Sequence, residues 1–406
     1  MTEYIKIFLI MLTVILCFML IVKTIASIPD KMKLNEKKIT ILALHLGYGG
    51  IERYLASLCK MLIEDYDIEI IATYKILEKP AFEFDSKVKI KYLMNDGPNR
   101  AELHRAIKDK KILGIIKECL KSISILYKKR TLNIKAIKKI DSKYIITTRD
   151  FHNELVGTYA SKNIIKIATE HNYHNNNKKY IKKVINSVKK IDYFVLVSEN
   201  LKNFYEDKVV PKCLYIPNVI DELPNRFSNN NNHTLISVGR LSKEKGQQDL
   251  LDVIKLIKTD FPDIKLYLIG DGIEKNNLTN YIRLNNLDKN VILTGFLSKN
   301  DIELKMLESS IFVTTSYTES FGLVIIEACS YKLPVVAFDS ATGVKTLLQN
   351  NCGILVSNRD KTAMKNEIEK LFKDEKYKNN IANNGYNNCK KFLAKNVRKM
   401  WLEILK

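Results

Sequence analysis

The chain has 406 residues, 46% of them hydrophobic and 27% charged, which is too long for one ordinary domain and too apolar for wholesale disorder. With 66 Lys and Arg against 45 Asp and Glu it carries a net charge of +21, so its surface attracts anions such as phospholipid head groups, nucleic acid or phosphorylated substrates. Seven scattered cysteines without a C-x-x-C pair exclude a disulfide scaffold and fit free thiols in a reducing compartment.

Residues 7–22 carry no charge, only Thr13 and Cys17 are mildly polar, and Lys6 and Lys23 bracket the run. It falls slightly short of the ~20 residues that cross a bilayer, but snorkelling lysines and residues 24–28 extend it. Residues 1–30 are therefore expected to be a single transmembrane helix with its flank. A cleaved signal peptide ending near Ala26-Ser27 is the alternative. Lys23, Lys31, Lys33, Lys37 and Lys38 follow against Asp30 and Glu36, which by the positive-inside rule puts the rest of the chain in the cytoplasm, tethered to its membrane.

Residues 38–46 form an apolar run (Ile39, Ile41, Leu42, Leu44, Leu46) that reads as a buried strand. Gly47-Tyr-Gly-Gly50 and a helix placing Leu55, Leu58, Leu62 and Ile63 on one face come next. Strands over 68–73, 145–148, 164–169 and 193–197 continue the alternation, and strands alternating with helices imply a parallel sheet. A second series, over 235–238, 265–269, 291–293, 311–314 and 334–338, starts beyond an Asn-rich run at 228–233. Two doubly wound domains, 36–220 and 233–385, facing across a cleft are expected, with a C-terminal helix over 386–406 returning to the first.

Between Arg105 and Lys143 there are thirteen Lys or Arg against three Asp or Glu, interleaved with Ile112, Leu113, Ile115, Ile116, Leu120, Ile123 and Leu126. Such an amphipathic region can lie on an anionic membrane surface; a solvated helix face is the alternative. Residues 178–190 add six lysines and no acid.

Chemistry concentrates in the second series. The strand ending at Val238 runs into Gly239-Arg-Leu-Ser-Lys-Glu-Lys-Gly246, where Arg240 and Lys245 suit a diphosphate, one as a fork and one as a point charge. Glu319 and Glu327 flank Ser-Phe-Gly-Leu-Val-Ile-Ile. A helix starting near Gly322 offers the backbone N–H groups of Phe321 and Gly322 to a phosphate, and a carboxylate one turn further can accept from a ribose diol. Asp65-Tyr-Asp67 has a metal-binding D-x-D form but precedes a strand and reads as a turn. With no H-E-x-x-H, Cys/His cluster or P-loop, no metal and no cofactor are expected.

In this order and spacing, residues 235–374 resemble the C-terminal half of the retaining glycosyltransferases of family 4, of the bacterial surface-glycan type. The resemblance implies a GT-B fold and a nucleotide-sugar donor. It implies that Arg240 and Lys245 hold the diphosphate, Glu327 the ribose and Glu319 the transferred sugar, while the loop at Phe296 and Leu297 meets the base. In the N-terminal half Gly49-Gly50-Ile51-Glu52 resembles the family's glycine loop beside the donor phosphates, and His171, in Thr169-Glu-His-Asn172, its active-site histidine. His152 and His174 are alternatives for that role. Glu199 and Asn218 echo secondary cleft positions.

The function expected is transfer of a hexose-type sugar to a hydroxyl of a lipid-linked or glycan acceptor in surface-polysaccharide or glycolipid synthesis. Rival readings are a catalytically inactive scaffold subunit and a sugar-nucleotide epimerase of the same fold. No nucleic-acid partner is expected, because no aromatic-rich basic strand accompanies the lysines.

Overall fold

The computed structural model describes residues 33–228 and 231–406. The apolar segment read as a membrane anchor lies outside them, and among the described residues no helix is long and apolar enough to cross a membrane.

Two all-parallel sheets organise the chain. The first joins β1 (Asn35–Ala43), β2 (Asp67–Tyr74), β3 (Lys89–Met94), β4 (Ser142–Thr147), β5 (Ile165–Glu170), β6 (Tyr193–Leu196) and β7 (Lys212–Tyr215) in the order β3-β2-β1-β4-β5-β6-β7. The second joins β8 (Thr234–Val238), β9 (Lys265–Ile269), β10 (Val291–Gly295), β11 (Ile311–Thr314), β12 (Val335–Phe338) and β13 (Ile354–Val356) in the order β10-β9-β8-β11-β12-β13. Both are doubly wound, and strand order reverses between β1 and β4 in one and between β8 and β11 in the other. A crevice opens beyond the carboxyl ends of the strands at each reversal, where ligands of such sheets bind.

Three strands were not anticipated: β3, β7 and β13. Each is a sheet edge, half-covered and short, so none has the continuous apolar run that marks a strand buried on both faces. β1 starts and ends three residues earlier than the apolar run suggests. Leu44 to Leu46 belong to the loop that follows, where Leu46 is nevertheless buried.

Seven helices position the site. They are α1 (Gly50–Leu62), α2 (Arg100–Lys108), α3 (Ile112–Ile137), α4 (Asp150–Tyr159), α5 (Gln247–Ile257), α6 (Leu323–Ser330) and α7 (Ala394–Ile404). α1 buries Leu55, Leu58 and Leu62 against the first sheet. The chain passes between the domains twice, near Ile220 and near Leu393, and the two passages are tied: Ile220 N–H donates to Phe392 O and Ala394 N–H to Ile220 O, both at 3.0 Å. α7 then inserts Val397, Trp401 and Ile404 into the core of the first domain. There the Arg398 side chain donates to Met61 O at 3.1 Å and ion-pairs with Asp65. Asp65 thus caps a structural contact, consistent with its reading as part of a turn.

The basic region resolves into an α2–α3 hairpin. The carboxyl end of α3 buries Ile134 and Ile137, but at the hairpin tip Leu113 is 84% and Leu120 61% exposed. Ile107, Ile112 and Ile116 are also exposed there, among Lys108, Lys110, Lys111, Lys117 and Lys121.

Candidate active site

The site is assembled from four loops at the two crevices. On the second domain, the loop after β8 closes in a short 3-10 turn over Lys243–Lys245 and leaves through Gly246, whose φ of 64° is left-handed. A Cβ there would stand 2.2 Å from Thr315 O, so only glycine lets this loop lie against the one that follows β11. The two loops are stitched together: Tyr317 N–H donates to Glu244 O at 2.8 Å, and the Thr315 hydroxyl to Gly246 O at 2.8 Å. Behind them the Arg359 guanidinium donates to Thr315 O at 2.6 Å and to Asp249 at 2.9 Å.

That stitching brings Lys245 to Glu319, and the two form an ion pair. Arg240 joins neither. It sits on the exposed rim, paired with Glu244 one helical turn away in sequence. Glu319 leads into α6, whose N-cap Gly322 has φ 95°, the left-handed entry that a side chain would strain. Gly343 N–H donates to Glu319 O at 3.0 Å and fixes the loop from below. The Phe321 side chain is buried edge-on against Phe392, with centroids 5.3 Å apart, so its contribution to the crevice is its backbone.

Glu327 lies on α6 and is engaged across the cleft by Arg53 of α1, a two-pronged pair in which Arg53 Nη1 donates to Oε2 at 3.1 Å and Nη2 donates to Oε1. Partial burial pushes the Arg53 guanidinium below its ordinary pKa, against the pull of Asp221 and Tyr331. Arg53 follows the Gly49-Gly50-Ile51-Glu52 motif directly. Gly49 itself is extended (φ 171°), a conformation open to any residue, and a Cβ on Gly50 would meet nothing within 4 Å. The glycines therefore leave room rather than relieve strain. Glu52, buried beneath them, stands 3.3 Å from His45 Nδ1.

His171 follows β5 on the first domain and packs against Tyr54 of α1, centroids 4.2 Å apart. Burial, helped by the nearby Arg149, holds its imidazole down at a pKa of about 3, so it is neutral at pH 7. Its tautomer follows from its partners. The single Thr169 hydroxyl proton goes to Thr147 O at 3.0 Å, so Thr169 Oγ1 can only accept from His171 Nε2 at 3.0 Å. Nε2 therefore carries the hydrogen, and Nδ1 presents a lone pair suited to accept from a hydroxyl.

Neither alternative histidine shares that position. His152 is fully buried in α4, with Nε2 3.1 Å from the Thr73 hydroxyl, and His174 is stacked on Phe204 at 3.8 Å. Phe296 is 64% exposed and stacks on Tyr48 of the glycine loop, with centroids 5.4 Å and planes 21° apart, while Leu297 turns inward to the core. Glu199 is exposed at the start of a short helix. Its neighbour Asn200 makes an interdomain bond, donating to Thr346 Oγ1 at 2.8 Å. Asn218 is close to the passage between domains, with a buried Oδ1 that has no partner among the described residues. Among those residues no group of three or more His, Cys, Asp or Glu could hold a metal ion.

Sequence reasoning missed Arg53, Tyr54, Tyr48, Arg149 and Asn200. Arg53 was one residue past a recognised motif, and its acidic partner is 274 positions away, beyond any local pattern. Tyr48 was inside the glycine loop and carried the one available signal, an aromatic where a tight turn asks for small residues.

Residues 220–388 match the family model described as Glycosyl transferases group 1. An exopolysaccharide phosphotransferase of Streptomyces coelicolor is 25% identical over 88% of this chain; the match spans only 39% of that protein. A second relative is 25% identical over 88% of this chain and 96% of its own length. It is the N-acetylgalactosamine-N,N'-diacetylbacillosaminyl-diphospho-undecaprenol 4-alpha-N-acetylgalactosaminyltransferase of Campylobacter jejuni. Among solved structures, TarM superposes with a TM-score of 0.73 at 17% identity, covering 93% of this chain and all of TarM. HepE of Anabaena, solved with UDP and glucose, gives 0.68 at 18% identity over 91% of this chain and 99% of its own. The architecture is thus GT-B-like, the C-terminal half carries a group 1 glycosyl transferase domain, and the protein is a transferase enzyme.

Proposed function

We propose that this protein is a retaining glycosyltransferase of family 4 that moves a sugar from a nucleoside diphosphate to a hydroxyl of a lipid-linked or glycan acceptor in surface-polysaccharide synthesis, working at the cytoplasmic face of a membrane. The observation that carries the reading is the meeting of Lys245 and Glu319 at the entry of α6, with Glu327 one turn on and joined to the glycine-loop helix of the opposite domain. Four charged groups, in two pairs whose members are 74 and 274 positions apart, converge at one crevice mouth, which a structural role alone does not require.

In this reading the acceptor oxygen bonds the anomeric carbon as the bond from that carbon to the diphosphate breaks. The chief task is to stabilise the departing diphosphate. Lys245, Arg240 and the backbone N–H groups of Phe321 and Gly322 supply fixed positive potential for it. Glu319 faces the sugar; on donor binding its ion pair with Lys245 gives way as the lysine turns to phosphate. The Nδ1 lone pair of His171 accepts from a sugar hydroxyl, a role its neutral state permits. Glu327, held in place by Arg53, accepts from the ribose diol, and the Tyr48–Phe296 stack closes the base end.

The substrate in the name of the Campylobacter relative, a diphospho-undecaprenol-linked sugar, supports a lipid-linked acceptor here. So do the exposed leucines and lysines of the α2–α3 hairpin, which suit an anionic bilayer surface. The test is transfer to a lipid-linked acceptor with product read by NMR. An α-linked product from an α-configured donor is expected, with turnover reduced at least about a hundredfold in Glu319→Ala. A β-linked product, or unchanged turnover in the variant, contradicts the assignment.

A further inference from the structure

The strand order of the first sheet reverses between β1 and β4. The glycine loop follows β1 and Arg149 follows β4, so Arg149 stands at the mouth of the crevice on the side opposite the glycine loop. Its backbone is extended and serves as the entry to α4. Among the described residues its guanidinium makes no hydrogen bond and no ion pair.

The nearest acids hydrogen-bond or ion-pair to other groups. Asp150 is paired with Lys183, and Glu170 accepts from Asn172 N–H at 2.8 Å and from the Tyr180 hydroxyl at 2.9 Å, although its carboxyl also feels the charge of Arg149. The histidines that face it offer no negative charge either. Arg149 acts on His45 after β1, His152 in α4 and His171 after β5, lowering the proton affinity of each. Residues on three different elements therefore face one guanidinium that has neither a hydrogen-bonded nor an ion-paired partner among the described residues. A half-buried cation without a partner is costly to hold, and a planar fork of donors matches the oxygens of a phosphate.

We infer that Arg149 binds a phosphate group of the substrate in the crevice of the first domain, a second anion subsite separate from Arg240 and Lys245. The inference rests on the transferase reading for the source of that phosphate, either the donor diphosphate or a phosphate of the acceptor. In the relevant geometry Arg149 approaches from the sheet opposite Lys245, so the two domains grip anionic groups from both sides of the cleft.

Inorganic pyrophosphate is titrated calorimetrically at low salt into the full chain carrying Arg240→Gln and Lys245→Gln, with and without Arg149→Gln. Pyrophosphate binding is expected to persist in the double variant and to weaken about tenfold or more on adding Arg149→Gln. Arg149→Lys, which keeps the charge without the fork, is expected to restore part of it. No binding in the double variant, or binding indifferent to Arg149→Gln, overturns the inference. Steady-state kinetics of the single variant identify the source: a raised donor KM assigns the donor diphosphate, and a raised KM for a phosphate-bearing acceptor alone assigns the acceptor. If neither KM moves, the inference fails. A wild-type chain that turns over no nucleotide sugar counts against the transferase reading only, since the pyrophosphate titration still reports on Arg149.

Discussion

Arg53 and Glu327 are the residues on which the two domains agree most directly. Each is part-buried, and removing one partner strands the other's charge. A double-mutant cycle on Arg53→Ala and Glu327→Ala, read by urea unfolding, is expected to show a coupling of about 1–3 kcal/mol. Additive losses would mean that the pair is incidental. At the same scale, His152 gives the protein an acid limit. Burial holds its pKa at about 3 against an ordinary 6.5, so the unfolded chain binds the extra proton between these values. Its contribution is complete above pH 6.5 and is lost as pH falls towards 3. Glu170, pushed up by burial, acts in the opposite sense, with a contribution complete below its ordinary value and lost as pH rises. Unfolding free energy is expected to fall between pH 6.5 and 5, and His152→Asn to flatten that slope by up to about 1.4 kcal/mol per pH unit. An unchanged slope would show that His152 is not the group responsible.

Among elements, the α2–α3 hairpin carries the proposed membrane contact. Leu113→Asp with Leu120→Asp replaces two exposed apolar side chains and leaves the buried end of α3 intact. Binding to vesicles rich in anionic lipid is expected to drop severalfold in sedimentation, with the folded content unchanged by circular dichroism. Equal binding would assign the hairpin to solvent. The elements also explain what could be read in advance. Central strands such as β9 and β11 announce themselves because both faces are covered and nearly every residue is apolar, whereas the edges β3, β7 and β13 share that signal with loops. The donor-side residues were legible because Lys245, Glu319, Gly322 and Glu327 fall in short motifs at fixed spacing. Arg53 and the Tyr48–Phe296 stack were not, since each gains its meaning from a partner on another element, and Arg149 was not, since its place at the crevice comes from the strand order.

For the whole molecule, the second passage of the chain makes the first domain's core depend on the C-terminal end. Trp401 is fully buried there, on α7, beside residues of α1. Trp401→Ala is expected to cost about 3–5 kcal/mol in chemical unfolding and to loosen the tie at Ile220 and Leu393. A loss below about 1 kcal/mol would show α7 to be dispensable to that core. The same double crossing holds the two crevices face to face, so that loops on both domains can bear on one donor. Whether they do so on a nucleotide sugar is decided by incubating the full chain with UDP-, GDP-, ADP- and CDP-sugars and measuring release of the nucleoside diphosphate. One donor class cleaved by the wild type, with release at least about tenfold slower in Lys245→Gln, is the predicted result; no release from any donor, or equal release by the variant, would contradict the account.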